Sequence, residues 1–333
     1  KTLAAGMLKE PGGKKFYGKM DGTLPAVGEL SPDLVADGLS KILKVKTPSL
    51  PARYKQEINE IIPMIPRREQ TFCPGCPHRA SFWSIHNALQ LDGRDGIVCG
   101  DIGCYALAAL YPSCGFNTVR TLHSMGSGTG IASGFAKLDA FGFDKPVVAV
   151  CGDSTFYHAA IPALINARHN RADITFIVLD NAGTAMTGFQ PHPGLTISAT
   201  GETIPAVDIA GICKAIGAKV AISDPFDLDK TCQILNGFLA ETGSLKVLIL
   251  KQICALSPEK KGKKQYLMKV DENLCRGDNC GCNRLCTRIF RCPALFWDRS
   301  KKKAKIDDVI CAGCGVCYSI CPQKAIQRTE ATV

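Results

Sequence analysis

Val147-Val148-Ala149-Val150-Cys151-Gly152-Asp153-Ser154 is five apolar residues closed by a glycine, an aspartate and a serine. A short unbroken apolar run with a turn signal at its end suits a strand buried on both faces, and such strands belong to parallel sheets. The pattern recurs on either side, at residues 97–99, 118–122, 174–179, 218–222 and 247–250. Helical periods lie between these runs, at 79–91, 128–141, 156–169, 206–216 and 226–241. Strand–helix alternation at this spacing predicts an α/β domain over residues 71–256, built on a doubly wound, mostly parallel sheet. Such sheets bind ligands at the carboxyl ends of their strands, so chemistry is expected in the loops that follow the strands.

Outside that domain the composition shifts. Residues 1–70 are punctuated by Gly and Pro and read as a lead-in, the remnant of a preceding domain, with one amphipathic stretch at 32–43. Pro48, Pro51, Pro63 and Pro66 predict an extended connector over 46–70. Lys260, Lys261, Lys263 and Lys264, with Gly262 among them, predict a basic linker over 257–270. Residues 271–333 form a small cysteine-dense domain, too poor in aliphatic side chains to hold a core without an inorganic staple. With 46% hydrophobic and 21% charged residues the chain is not globally disordered. No apolar run reaches the ~18 residues of a membrane helix, and no secretory h-region opens the chain. The first residue is Lys1 rather than Met, which reads as the later part of a longer or processed polypeptide.

Eighteen cysteines divide evenly, nine up to Cys254 and nine between Cys275 and Cys321. Disulfide scaffolds are short secreted chains, so tight spacing beside a large apolar core favours metal. Cys311-x2-Cys314-x2-Cys317-x3-Cys321-Pro322 is the bacterial ferredoxin run for a 4Fe–4S cluster. Its short spacings let three thiolates of one loop reach three irons. The fourth cysteine, before the proline, ligates a second cluster. Cys275, Cys280, Cys282 and Cys286, followed by Cys292-Pro293, supply the second run. The crossed pattern predicts one cluster on Cys292, Cys311, Cys314 and Cys317. The other takes Cys275, Cys286 and Cys321, with Cys282 or its alternative Cys280. Zinc also uses C-x2-C pairs, but the double Cys-Pro layout disfavours it.

The net charge is +10, and residues 257–305 hold fourteen Lys and Arg against five Asp and Glu. That basicity offsets thiolate-bound clusters or steers an acidic partner; a solvated lysine-rich linker is the plainer reading. No nucleic-acid recognition module is present, and neither nucleic acid nor membrane is an expected partner.

Gly152-Asp153-Ser154 ends one predicted strand, and Asn181 follows the next one 28 positions after Asp153. This pairing resembles the signature of thiamine diphosphate enzymes. Asp153 and the Asn181 amide oxygen are hard ligands suited to octahedral Mg2+. The helix that starts near Ser154 offers free N–H groups to a diphosphate. Taken alone, the two motifs also fit a pair of strand-end turns. A Gly-rich loop before a helix, His123-Ser124-Met125-Gly126-Ser127-Gly128-Thr129-Gly130, adds a place where a cofactor could approach backbone closely. It lacks the lysine of a Walker loop.

Four segments then occur in order. They are Cys73-Pro74-Gly75-Cys76-Pro77-His78-Arg79, Asp101-Ile102-Gly103-Cys104-Tyr105, Gly152-Asp153-Ser154-Thr155-Phe156 and Asp180-Asn181 with Thr184-Ala185-Met186-Thr187-Gly188 and Gln190-Pro191-His192-Pro193-Gly194. With the double ferredoxin tail they make the chain resemble the indolepyruvate:ferredoxin oxidoreductase alpha-subunit family, within the 2-oxoacid:ferredoxin oxidoreductases. The resemblance covers nearly the whole chain. It implies a thiamine diphosphate (pyrophosphate) enzyme that converts arylpyruvates and coenzyme A to aryl-acetyl-CoA and CO2, passing electrons through 4Fe–4S clusters to soluble ferredoxin. Pyruvate or phenylglyoxylate as substrate, or a non-catalytic electron-transfer subunit, are the alternatives.

Carried over by motif, the resemblance implies Mg2+ on Asp153, Asn181 and the Gly183 carbonyl. Gly152, Ser154 and Thr155 would line the diphosphate, with Gly126 and Ser127 nearby. Asp101, Ile102, Gly103 and Cys104 would contact the cofactor, and Thr184, Ala185, Met186 and Thr187, with Gln190 and His192, would form the loop over its reacting ring. Candidate catalytic residues are His78, Met186, Thr187 and His192, although His78 could instead cap its helix and His192 be a turn residue. The resemblance also implies a pyrimidine-binding domain on another chain, which supplies an activating glutamate, and a further beta- or gamma-type subunit. It implies a third 4Fe–4S cluster close to the cofactor, on Cys73, Cys76, Cys104 and Cys254; buried small hydrophobes are the alternative reading of these four. Cys99, Cys114, Cys151, Cys213 and Cys232 have no partners at metal spacing and are read as core thiols. So many free thiols fit a reducing, anaerobic cytoplasm.

Overall fold

The computed structural model describes residues 15–47, 51–65, 70–109 and 116–331. The opening of the lead-in, Pro48, Pro66 and Cys114 lie outside them. Contacts divide the chain into two units, Lys1–Arg68 and Glu69–Val333.

In the first unit the amphipathic stretch is helix α1 (Pro32–Leu43). Ser31 Oγ accepts from Leu34 N at its start, and Lys44 ends it in the left-handed region. The extended connector expected at 46–70 is corrected by helix α2 (Ala52–Ile61) and a 3-10 turn at Ile62–Met64. Its prolines act as punctuation. Pro51 sits just before the first turn, Pro63 lies in the closing one, and no Pro or Gly falls between. Arg53–Glu57 and Gln56–Glu60 pairs, 2.8 and 3.2 Å, support the exposed helix at i,i+4 spacing.

The second unit begins with helix α3 (Pro77–Asp92), Pro77 in its first turn and Gly93 at its left-handed end. Six strands follow: β1 (Ile97–Gly100), β2 (Val119–Leu122), β3 (Val147–Gly152), β4 (Ile174–Asp180), β5 (Lys219–Ser223) and β6 (Leu245–Lys251). They form one sheet in the order β2-β1-β3-β4-β6-β5, every pairing parallel. The central strands are buried end to end, as their unbroken apolar runs require.

The intervening helices are α4 (Ser127–Ala136), α5 (Ile161–His169), α6 (Ile209–Ala215) and α7 (Leu228–Ala240). One core face packs Phe82, Ile85 and Leu89 of α3 with Leu235 and Phe238 of α7. The other packs Ala132, Leu164 and Ile209 from α4, α5 and α6 against Phe176 and Val247. Each fully buried Phe or Leu contributes about 1.5–3 kcal/mol. Before α5 the chain makes a helical turn at Asp153–Thr155 and a wider π turn at Phe156–Ala160. Pro162 lies at the start of α5, where its missing N–H breaks the regular ladder.

Strand direction reverses its winding between β1 and β3. A crevice therefore opens where Asp101, Asp153 and Asn181 leave the sheet.

Beyond the sheet, β7 (Tyr266–Val270) pairs antiparallel with β10 (Ile326–Glu330), and β8 (Leu295–Asp298) with β9 (Lys303–Ile306). β7 corrects the expected basic linker at its carboxyl end: Met268 is buried in the small domain, and only Ser257–Lys264 is turn-rich and lysine-rich. That small core holds four buried aliphatics, Met268, Leu295, Ile306 and Ile326, with Cys286, Cys292, Cys311, Cys317 and Cys321 packed around them. It is an α+β, ferredoxin-like arrangement in which the cysteine loops form 3-10 and π turns. Ala80, Leu228, Phe290, Val316 and Ile320 join it to the sheet domain. No helix among the described residues is long and apolar enough to cross a membrane.

Candidate active site

The crevice at the strand ends is lined by His78, Ile102 to Tyr105, Met125, Gly152 to Thr155, Asn181 and Gly183 to Thr187. Three of the four expected motifs converge there, with His78 of the first.

Asp153 is its centre and is 2% exposed. Oδ1 accepts from Ser154 N at 2.8 Å; Oδ2 accepts from Asn181 N at 3.1 Å and Gly183 N at 3.2 Å. His192 Nε2 stands 3.1 Å from the same Oδ2. His192 Nδ1 accepts from Gly194 N at 3.1 Å, which leaves the proton on Nε2, facing the carboxylate. One end of the Asn181 amide lies 3.2 Å from Asp153 Oδ2 and 2.9 Å from the Gly183 carbonyl. With its nitrogen there, the amide donates to both. With its oxygen there, three hard oxygens converge, which is the donor set Mg2+ takes. The residues present therefore fit that ion.

Tyr105 is a site residue that sequence reasoning missed, although it closes the Asp101-Ile102-Gly103-Cys104 motif. Its hydroxyl donates to Asp101 Oδ1 and lies 3.1 Å from Ile102 O and 3.4 Å from Thr155 Oγ1. Its ring fills the space beside Gly103 and Gly152, where added β-carbons would stand 2.3 and 3.2 Å from ring atoms. Asp101 is fully buried behind it, and burial raises its carboxyl above the usual range. Asp101, Gly126, Ser127, Gln190 and His192 do not line the crevice but sit directly behind it. Gly126 precedes α4 at φ +82, and a β-carbon there would meet Ala159 Cβ at 2.4 Å. The loop brings Met125, also unforeseen, to the opening. Gln190 accepts from Thr187 Oγ1 at 2.6 Å and donates to Thr187 O at 2.7 Å, fixing the covering loop.

His78 is buried in the first turn of α3, which no side chain caps. Burial pushes its pKa down to about 4 despite the nearby negative charge of Asp153, so the ring is neutral at neutral pH.

Among the described residues no three Cys, His, Asp or Glu side chains stand close enough to hold one metal ion, but three sets of cysteines lie within electrostatic reach of one another. Cys104 is pushed up to about 11 by burial and by the neighbouring Cys254 and Cys73. Cys76, pushed up to about 12 by burial, also feels Cys73. Cys254 N donates to Asn181 O at 3.0 Å, and Cys104 lines the crevice, so these two cysteines border the Asp153 site. Burial, then Cys282, Cys321 and Cys275, raise Cys286 to about 12. Cys280 neighbours Cys282 and Cys321 of the same group. Cys292, Cys311, Cys314 and Cys317 bound one small cavity with Gly75 and Phe290. Of the expected core thiols, Cys99, Cys151 and Cys213 are fully buried, and half-buried Cys232 donates to Ser84 O at 3.8 Å.

Residues 101–245 match the family described as thiamine pyrophosphate enzyme, C-terminal TPP binding domain. Among curated proteins, the indolepyruvate oxidoreductase subunit IorA of Thermococcus kodakarensis is 37% identical over 321 residues, 91% of this chain and 47% of that protein. The IorA of Methanothermobacter marburgensis is 37% identical over 315 residues, 93% of this chain and 47% of its own length. The chain thus spans about half the length of the curated relatives it matches. The solved 2-oxoglutarate:ferredoxin oxidoreductase of Magnetococcus marinus overlaps 56% of this chain and 65% of its own, at 18% identity and a TM-score of 0.45.

Proposed function

This chain is a relative of the indolepyruvate oxidoreductase subunits IorA, and from that premise we propose that it is the thiamine diphosphate and iron–sulfur part of a 2-oxoacid:ferredoxin oxidoreductase acting on arylpyruvates. The observation that carries the reading is the meeting of two sites. Oxygens of Asp153 and Gly183 and one end of the Asn181 amide converge at the strand ends, and Cys254, one of the four cysteines proposed to hold a cluster, is bonded to Asn181 O through its backbone N–H.

Asp153, Asn181 and the Gly183 carbonyl hold Mg2+. Gly152, Ser154 and Thr155 present the first helical turn to the diphosphate. When bound, thiamine diphosphate supplies a nucleophilic carbon and an electron sink for decarboxylation. His192 packs against the Asp153 carboxylate, its Nε2 3.1 Å from Oδ2, and limits where that carboxylate can turn. Neutral His78 donates or accepts one hydrogen bond beside the reacting groups without adding charge. The loop from Thr184 to Thr187, fastened by Gln190, keeps water from the reacting centre. A pyrimidine-binding domain carrying the glutamate that activates the aminopyrimidine, and a beta- or gamma-type subunit, complete the enzyme. Ile102, Met125 and Met186 line the opening and are 42%, 54% and 56% exposed. Flexible, polarisable Met side chains suit an aromatic substrate group, which favours arylpyruvates over pyruvate.

Three sets of cysteines would hold 4Fe–4S clusters, which would supply one-electron transfer away from the cofactor. The first is on Cys73, Cys76, Cys104 and Cys254. The second is on Cys292, Cys311, Cys314 and Cys317, and the third on Cys275, Cys282, Cys286 and Cys321. Coenzyme A takes the acyl group and ferredoxin the electrons, in an oxygen-free cytoplasm. The test is coenzyme A-dependent reduction of a viologen dye by the assembled complex, with indolepyruvate, phenylpyruvate, phenylglyoxylate and pyruvate in turn. Highest kcat/KM on the two arylpyruvates is expected. Preference for pyruvate would overturn the substrate assignment, and turnover with none of them the enzymatic one.

A further inference from the structure

The lysine-rich turn at 257–264 borders a second cavity, of about 250 Å3. Lys260, Lys261, Lys263 and Lys264 line it with Val309 and Ile310, and among the described residues no acidic side chain is in its wall. Two of the lysines are held in place by neutral groups. Lys260 Nζ donates to Gln252 Oε1 at 3.1 Å and lies 4.9 Å from the centre of the Phe226 ring, and Lys264 Nζ donates to the Asp308 carbonyl. These two also stand within electrostatic reach of Cys314 and Cys311. The side chains of Lys261 and Lys263 have no partner of either kind among the described residues. Glu259, the one acid of the turn, does not line the cavity, and Asp307 Oδ1 is taken up by Val309 N and Ile310 N at 2.9 and 3.0 Å. Gly262 turns the chain at φ +81, and a β-carbon there would meet no atom within 4 Å, so the turn faces open space. The rest of the wall is apolar: Val309 is 94% exposed, and Leu256 and Ile310 are exposed as well.

We propose that this cavity binds the phosphorylated nucleotide end of a coenzyme A-type carrier. The proposal rests on the reading that coenzyme A takes the acyl group, and adds where the coenzyme is held. Charge is the first argument. Lysine binds phosphate as a compact, mobile point charge, and four lysines with no carboxylate in the wall concentrate a positive field on one space. Shape is the second. Sites that enclose a whole small ligand have volumes of about 300–1,000 Å3. This smaller cavity takes a diphosphate and a sugar and leaves the rest of the carrier outside, along exposed Leu256, Val309 and Ile310. Position is the third. Ala255 is in the cavity wall, and its neighbour Cys254 donates its N–H to Asn181 O and stands within electrostatic reach of Cys104 in the crevice. A carrier anchored here by its phosphates lays its flexible thiol arm across that short segment, toward the crevice. A free nucleotide would use the same cations but has no arm to place.

The test measures binding to the assembled complex by calorimetry, with coenzyme A, adenosine 3′,5′-bisphosphate, ADP and pantetheine in turn, beside the dye assay. The bisphosphate is expected to compete with coenzyme A, and pantetheine, which lacks phosphate, to bind about tenfold or more weakly than coenzyme A. K261E with K263E is expected to weaken coenzyme A about tenfold or more, to raise its KM by the same factor and to leave pantetheine unchanged; the neutral K261Q with K263Q should fall between. K301E with K302E makes the same charge change outside the cavity and is expected to leave coenzyme A binding as it was. Thiamine diphosphate affinity, measured on each variant, shows that the sheet domain keeps its fold. Coenzyme A binding indifferent to the reversals at Lys261 and Lys263 overturns the proposal, and so does an equal loss in the Lys301 and Lys302 variant. ADP that binds these lysines as tightly as coenzyme A does would overturn the carrier assignment in favour of a free nucleotide. Lysine-dependent coenzyme A binding by a complex that reduces no dye with any 2-oxoacid would support the cavity and sink the enzymatic reading instead.

Discussion

Gly75 and Ala312 face each other so closely that a β-carbon at position 75 would stand 2.7 Å from that of Ala312. Ala255 and Cys314 are the next atoms out, at 3.5 and 3.7 Å, and Gly75 itself has φ +69. Three cysteine-bearing segments, Cys73–Cys76, Cys254–Ala255 and Cys311–Cys314, therefore meet at one glycine. This is a direct join between the crevice side and the ferredoxin-like part. It orders the proposed relay: the Cys104 quartet first, the Cys314 quartet next, the Cys286 quartet last. Gly75→Val forces these segments apart, at an overpacking cost of about 1–3 kcal/mol. Stopped-flow traces are expected to show electron delivery to ferredoxin slowed about tenfold or more, with thiamine diphosphate binding intact. Unchanged delivery would remove this contact from the relay.

Asp153 and His192 separate a ligand from its support. Asp153→Asn removes the charge at the centre of the oxygen set, and calorimetry with Mg2+ and thiamine diphosphate is expected to show no binding. His192→Gln leaves the three oxygens in place but removes the ring that stands 3.1 Å from Asp153 Oδ2. Its expected cost is about 10–100-fold in metal affinity, the range of other outer-sphere partners. Equal losses in both variants would contradict this division of roles.

Tyr105→Phe tests the strut under the crevice. It leaves the ring against Gly103 and Gly152 and deletes only the hydroxyl that serves Asp101. Orphaning part of a buried carboxyl costs about 1–3 kcal/mol. A lower melting temperature is expected, with weaker cofactor binding that Tyr105→Leu worsens. A melting temperature like that of the unaltered protein would mean that the hydroxyl carries little.

Arg79 is 1% exposed and bridges the two halves of the second unit. Nη1 donates to Phe290 O at 2.6 Å and Nη2 to Phe72 O at 2.5 Å, while the guanidinium lies 5.9 Å from the centre of the Phe290 ring and 5.6 Å from that of Phe72. Arg79→Met keeps the packing and orphans both carbonyls, at about 1–3 kcal/mol each. Hydrogen exchange is expected to rise first around Phe290 and Cys292, before the sheet loosens. Uniform loss of protection would instead mark Arg79 as a general core residue.

Much of the sheet was legible because burial on both faces writes itself as unbroken apolar runs. All six strands lie where those runs are, and Asp153 and Asn181 were placed by the strand ends that carry them. Helix α2 was hidden because prolines at its borders look the same, in one dimension, as prolines throughout. β7 was hidden among lysines because only Met268 of its five residues is buried. Tyr105 could not be read as a strut, since nothing local shows that two glycines 49 positions apart leave room for one ring.

The most direct measurement is iron and acid-labile sulfide per chain in protein purified without oxygen. Three cysteine quartets predict about twelve irons and twelve sulfides. Serine at Cys104 should remove about four of each and leave the ferredoxin-like part loaded. About eight irons in the unaltered protein would contradict the cluster beside Asn181, and zinc in place of iron would contradict the redox account altogether.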